Sequence, residues 1–115
     1  MFGDACTVSG FKISTPSNQY EVEAAHVVPK SRKGSDDVRN GIALIKTLHW
    51  AFDNGLFGVD ENRKIYIPRK IIESNPNDFL RKYNSKPIKE AKDVNNRVHP
   101  DAFKWHMENI VKKWE

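Results

Sequence analysis

Four polar residues in the middle of the chain have the types and spacing that could do chemistry. His26, Asn40, His49 and Asp53 follow one another at intervals of 14, nine and four residues. The last two stand four positions apart, so on a helix both side chains lie on one face. An imidazole and a carboxylate presented to one point are suitable ligands for a divalent metal ion. The spacing therefore makes His49 and Asp53 a candidate metal-binding pair.

Each of these residues also has an ordinary structural interpretation. His26 lies between two alanines and two valines, where a histidine can be simply hydrogen-bonded at the end of a strand. Asn40 precedes a glycine and suits a turn. His49 and Asp53 could form a surface pair on a helix. It is their combination that favours a functional site.

The elements that must position these residues are two strands and a helix. The apolar run 24–28 is typical of a strand, and Pro29 ends it because proline has no N–H for a strand ladder. A polar loop follows. Residues 42–45 then predict a short buried strand and residues 46–54 a helix, which Gly55 closes.

More elements are predicted on either side of this unit. Short strands at residues 6–8 and 11–13 flank a turn near the N-terminus, and segments 56–59 and 64–67 flank a four-residue loop, as in a β-hairpin. A basic segment at 69–83 has weak helical character. An amphipathic helix is predicted to begin at Pro100. The three tryptophans fall at helical positions and are predicted to be core residues: Trp50, Trp105 and Trp114.

Length and composition exclude several classes of protein. A chain of 115 residues fits one domain with a modest core. Its single cysteine, Cys6, excludes an internal disulfide and a cysteine-based zinc site. No run approaches the about 18 apolar residues of a membrane span, and the N-terminus lacks the pattern of a signal peptide. We expect a cytoplasmic protein without a membrane partner. Its net charge of +4 is compatible with nucleic acid binding but does not establish it.

The order and local sequence of the polar residues resemble the HNH family of nucleases. The resemblance is dense from about Cys6 to Val59 and weaker towards the C-terminus. It is strongest to the branch found at the C-terminal end of restriction-type endonucleases, and it rests on four segments: Cys6–Gly10, Glu23–Pro29, Asn40–Leu44 and His49–Leu56. It implies an α+β fold, with a ββα-metal core (the His-Me finger) and an added β-hairpin and C-terminal helices.

The resemblance also implies a role for each polar residue. His26 would be the general base that takes a proton from the water attacking a phosphodiester, and Asn40 would bridge the wide loop and hold His26 in place. His49 and Asp53 would bind one divalent ion. We expect Mg²⁺, with Mn²⁺, Ni²⁺ or Zn²⁺ as alternatives.

One position departs from the pattern of the family. Many HNH nucleases place a metal-binding Asp or His directly before the catalytic histidine, where this chain has Ala25. Glu23 points to the same side of a strand as Ala25 and has a longer reach than Asp. It is therefore a candidate third ligand, although it could equally contact a ligand without binding the ion, or lie on the surface.

Basic residues lie in the loop after the predicted base and again in the second half of the chain. The loop cations are candidate DNA contacts, because phosphate contacts position DNA without reading its sequence. They are Lys30, Arg32, Lys33 and Arg39. From Arg63 to Arg97 there are ten basic residues against four acidic ones, which would form a basic flank.

The sequence thus predicts a metal-dependent DNA endonuclease of the HNH type, the cleavage domain of a restriction or antiphage defence enzyme. We expect residues 1–115 to form one nuclease domain, with the motif core at 6–59 and the basic flank and closing helix at 60–115. A fragment of a longer restriction enzyme is one interpretation. DNA is the expected partner, together with a fused or separate recognition domain, and a homodimer is an option for double-strand cleavage.

Two alternatives remain open at this point. The domain could bind DNA without cutting it, since Ala25 cannot bind a metal ion. It could also be a nuclease of an antiphage system that a partner protein activates.

Overall fold

The unit that carries the four polar residues is an antiparallel strand pair followed by a helix. The computed structural model describes residues 5–115, apart from the side chain of Asn75. Strand β1 spans Glu23–His26 and strand β2 spans Gly41–Leu44, with His26 opposite Gly41 and Glu23 opposite Leu44. Helix α1 follows at Lys46–Asp53. The predicted order of two strands, an intervening loop and a helix is confirmed.

The remaining elements are short. A hairpin pairs β3, Gly58–Val59, with β4, Ile65–Tyr66. Three helices follow: α2 at Arg69–Ile72, α3 at Asp78–Arg81 and α4 at Pro100–Asn109. Five single-turn 3₁₀ helices complete the described chain, at Lys30–Arg32, Val38–Asn40, Asn75–Asn77, Val94–Asn96 and Val111–Trp114. The predicted mixture of helices and a small sheet is confirmed.

The core lies beneath β2, α1 and α4. Leu44, Leu48, Phe52 and Phe103 are almost completely buried there. His106 of α4 is buried with them: its ring stacks on Phe52, with the centroids 3.8 Å apart, and its Nε2–H donates to the Phe52 carbonyl oxygen at 2.8 Å. Helix α4 therefore fastens the last turn of α1 to the core.

Two sequence predictions about local structure are wrong, and a third is refined. Residues 6–13 form a turn instead of a strand pair, because Thr7 bonds to Ala43 and Lys89 and not to the opposite arm. The weak helical character predicted for the segment 69–83 is found as two short helices, α2 and α3, because Pro76 between them cannot continue the hydrogen-bond ladder. Trp50 and Trp114, both predicted to be core residues, are 65% and 37% exposed.

None of the helices within residues 5–115 is long and apolar enough to cross a membrane.

Candidate active site and metal centre

The structure brings the three predicted metal ligands together, with the carboxylates of Glu23 and Asp53 on either side of the His49 imidazole. Nδ1 of His49 lies 3.1 Å from Oε1 of Glu23, and Nε2 of His49 lies 3.2 Å from Oδ2 of Asp53. Helix α1 supplies His49 and Asp53 from consecutive turns, and β1 supplies Glu23. Lys46 lies beside this group, with Nζ 3.8 Å from Oε2 of Glu23. We call His49, Glu23 and Asp53 the helix cluster.

The geometry of the helix cluster limits how it could hold an ion. The two carboxylates lie at different nitrogens of His49, so an ion bound at one nitrogen can have only the carboxylate on that side as a second direct ligand. The other carboxylate then accepts from the remaining ring N–H, as partners of metal-binding histidines commonly do. Among residues 5–115, no three His, Cys, Asp or Glu side chains are already arranged to hold a metal. The cluster fits an ion that keeps several waters, as Mg²⁺ does.

Charge is crowded in the helix cluster. Burial raises the pKa of Asp53; the His49 ring opposes this shift, and the charge of Glu23 adds to it. Two carboxylates facing one ring repel each other, and a bound cation would relieve that repulsion. The electrostatics therefore suit a cation.

His26 lies in a second group, which we call the loop cluster. Its ring is 41% exposed, and Nε2 is 2.9 Å from Oδ1 of Asp36. The other oxygen of Asp36 accepts from Nζ of Lys30 at 2.7 Å. Lys30 and, to a smaller extent, His26 lower the pKa of Asp36, so this side chain is a carboxylate at neutral pH. A shallow cavity of about 220 Å³ opens beside the ring.

Asn40 ties the two ends of the wide loop together. Its side chain is buried and accepts from the Val28 N–H at 2.8 Å, while its amide donates to the carbonyls of Val28 and Ser35 at 2.9 and 2.8 Å. These bonds fix the chain two residues beyond His26. The position of Asn40 is that of a residue that could orient His26.

Gly34 packs directly against the same stretch of backbone. A Cβ atom at this position would lie 1.7 Å from the Val28 carbonyl oxygen, far inside van der Waals contact. The backbone N–H of Gly34 donates to the carbonyl of Pro29 at 2.9 Å. The close approach, and not an unusual backbone angle, requires glycine here.

The helix cluster and the loop cluster are two separate groups of polar contacts. Within residues 5–115, no hydrogen bond or ion pair joins His26, Asp36 or Lys30 to the helix cluster. Glu23 and His26 are three positions apart on β1, about 10 Å along the strand and on opposite faces by its alternation. The structure thus separates the predicted base from the predicted metal ligands.

Comparisons with known proteins identify the strand–loop–helix unit. Residues 6–60 match the family model of the HNH endonuclease. Residues 6–60 are an HNH endonuclease domain. HNH nucleases generally use a divalent metal ion.

A solved structure similar to this chain is described as a modification-dependent TagI restriction endonuclease. It matches 92% of the chain with a TM-score of 0.69 and 21% sequence identity. The chain spans 33%, about a third, of the length of that protein. This likeness supports the fold of the chain beyond the HNH segment. The search of curated proteins gives no match.

The four cations predicted to contact DNA divide into two kinds in the HNH domain. Lys30 is paired with Asp36, and the guanidinium of Arg32 lies 5.3 Å from the ring centre of Trp105. Lys33 and Arg39 are exposed and form no side-chain hydrogen bond or ion pair within the described part of the chain. The structure brings all four into one loop, with two of them already engaged.

The basic flank is less open than its composition indicates. Arg63 pairs with Glu90 and donates to the Val98 carbonyl, and Arg81 pairs with Asp78. These cations fasten segments of the flank to one another. These two of the ten basic residues are therefore engaged within the chain.

Sequence reasoning missed three residues around the HNH motif. Nothing in the spacing of Asp36 along the sequence connects it to His26. Gly34 carries no signal beyond its type. The exposure of Trp50 could have been predicted, because the buried residues of α1, Leu48 and Phe52, lie on the other side of the helix.

Proposed function

We propose that this chain hydrolyses DNA phosphodiester bonds as a metal-dependent HNH endonuclease. The observation that carries the proposal is the meeting of Glu23, His49 and Asp53 inside a segment that matches the HNH endonuclease family. Three acid and imidazole side chains from two different elements meet there, with one carboxylate at each nitrogen of the His49 ring. A purely structural role would leave their crowded charge unexplained.

In this proposal, Nε2 of His49 and Asp53 hold the ion, and Glu23 accepts from Nδ1–H of His49 and fixes the orientation of the ring. The hydrogen bond between Nδ1 of His49 and Glu23 supports this division, as does the nearby Lys46, which already balances the charge of Glu23. When bound, a divalent ion supplies positive charge that stabilises the transition state and the leaving oxygen.

His26 is the proposed general base. Its ring is exposed at the end of β1, so a water beside a DNA phosphate can reach it. An imidazole in this position accepts the proton of the attacking water. The proposal places the scissile phosphate between His26 and the helix cluster, since no hydrogen bond or ion pair joins the two within residues 5–115.

We propose further that the chain is the cleavage module of a restriction or antiphage defence enzyme. The motivation is that the chain matches about a third of a restriction endonuclease in fold. The remaining two thirds of such a protein could hold a recognition domain. Dimerisation would allow both strands of a duplex to be cut.

The test is cleavage of a supercoiled plasmid with Mg²⁺ or Mn²⁺, with and without cytosine modification. We expect nicked or linear product that EDTA abolishes. His26→Ala should reduce the rate by about 100-fold or more, since a general base contributes about 10²–10⁴-fold. Asp53→Ala should weaken Mn²⁺ binding in calorimetry more than Glu23→Gln does. Full activity of His26→Ala would overturn the mechanism.

His99→Asn is the matched control. His99 is partly buried outside both clusters, and its ring accepts from the Asp101 N–H at the start of α4. Asparagine can also cap a helix, so this variant should fold and cleave like the parent chain.

A second candidate is a module that binds DNA without cutting it. Two observations favour it: Ala25 offers no ligand, and the described residues hold no ready group of three ligands. The same assay separates the two candidates. Salt-dependent DNA binding without product under any of the metals would support the non-cutting module.

A further inference from the structure

Asp36 is an acidic residue of the wide loop to which the proposed mechanism gives no role. It lies ten positions after His26 in sequence, yet its carboxylate meets the ring at 2.9 Å. Asp37, its neighbour, turns away and accepts from the backbone N–H of Arg39. The loop therefore presents one of two adjacent carboxylates to His26.

The contact determines which ring nitrogen can act as a base. A carboxylate can only accept hydrogen bonds, so Nε2 of His26 must carry the hydrogen. In the neutral ring, Nδ1 then has the free electron pair. Lys30 occupies the second oxygen of Asp36 at 2.7 Å and holds the carboxylate in place.

We propose that Asp36 is a positioning residue that fixes His26 in the tautomer with Nε2 protonated, so that Nδ1 accepts the proton of the attacking water. This rests on the proposed function of His26 as the base. Nδ1 takes the proton as the water oxygen forms its bond to phosphorus. The P–O bond to the leaving oxygen breaks, and that oxygen keeps the electron pair and takes a proton from solvent. The Nε2–H bond to Asp36 remains intact throughout. The carboxylate of Asp36 then balances the positive charge of the imidazolium.

Lys30 makes the proposal sharply testable. In Asp36→Asn the side chain has one oxygen and one NH₂ group, and the ammonium of Lys30 competes with His26 for the oxygen. We expect the oxygen to turn to Lys30 and the NH₂ group to donate to Nε2. The hydrogen of His26 then moves to Nδ1, which can no longer accept a proton.

The experiment combines nitrogen-15 NMR of the histidine rings with single-turnover cleavage. In the parent chain we expect the Nε2–H tautomer of His26. In Asp36→Asn we expect the Nδ1–H tautomer and a cleavage rate about 100-fold lower, with little change in KM, as for a general base in the wrong tautomer. Adding Lys30→Met to Asp36→Asn frees the amide oxygen and should restore the tautomer and part of the rate.

Asp37→Asn is the control, because it changes the adjacent carboxylate and can still cap the 3₁₀ turn. In this variant the His26 tautomer and the cleavage rate should match those of the parent chain. A normal rate in Asp36→Asn would overturn the proposal, and a faster one would show that Asp36 blocks the base. If the parent chain cuts no DNA, the proposed function fails, and the NMR spectrum alone still decides whether Asp36 fixes the tautomer.

Discussion

The two clusters of the candidate site are held in place by different means. The helix cluster stands on α1, which is anchored by the buried side chains of Leu48 and Phe52. The loop cluster depends on the segment 27–40, where Val27 and Asn40 are the only buried residues. A helix packed on the core positions His49, whereas His26 lies at the last position of β1 and its ring is held by a contact from the loop. The loop cluster should therefore be separable from the fold, whereas the helix cluster should not.

The largest effect is expected at the core beneath the helix cluster. Phe52→Ala removes a fully buried ring that packs against Phe57 and His106. It should lower the free energy of unfolding by about 3–5 kcal/mol. The exposed Trp50→Ala on the same helix should change it by about 0.5 kcal/mol or less. Urea denaturation followed by circular dichroism measures both, and equal losses would contradict the burial assigned to α1.

Acid should lower the stability of the core beneath the helix cluster, because it protonates His106. Burial lowers the pKa of His106 from its usual 6.5 to about 4, because a protonated ring would place a hydrogen on Nδ1, which has no partner in the described structure. The unfolded chain binds this proton at higher pH than the folded chain does. The stability that His106 contributes is therefore present above pH 6.5 and is lost as the pH falls towards 4, by about 3 kcal/mol at most.

Urea denaturation between pH 7 and pH 4.5 checks this dependence. His106→Gln can still donate to the Phe52 carbonyl but does not titrate. Its stability should therefore change less over this range than that of the parent chain. Parallel curves for the two proteins would mean that His106 is not the source of the acid sensitivity.

Breaking the loop alone is the sharpest test of the comparison. Asn40→Ala leaves the N–H of Val28 and the carbonyls of Val28 and Ser35 without their partner. We expect a loss of about 2 kcal/mol, since an unsatisfied buried group costs about 1–3 kcal/mol and water can reach part of this loop. Cleavage should be lost with it, while Mn²⁺ binding at the helix cluster persists in calorimetry. Loss of Mn²⁺ binding together with cleavage would show that the two clusters depend on each other.

The sequence was more informative about the helix cluster than about the loop cluster, for a physical reason. Helical periodicity brings His49 next to Asp53, and strand alternation with the reach of a glutamate brings Glu23 close. Both rules need only a regular backbone. The path of the loop from Pro29 to Asn40 follows instead from close packing at Gly34 and from the left-handed turn at Lys33, where φ is 67°. No periodicity encodes such contacts, so the pairing of Asp36 with His26 could not be predicted.

The smallest effect concerns the exposed cations of the loop. Lys33 and Arg39 are accessible, whereas Lys30 and Arg32 already have partners. Replacing Lys33 and Arg39 together by alanine should weaken DNA binding and reduce the slope of log K against log salt by about two, since each phosphate contact contributes about 0.9. The double replacement of Lys112 and Lys113 removes the same charge from the exposed far end of the chain and should leave the slope nearly unchanged. Fluorescence anisotropy over a salt series measures both, and equal slopes for the two variants would mean that net charge, not the loop, attracts the duplex.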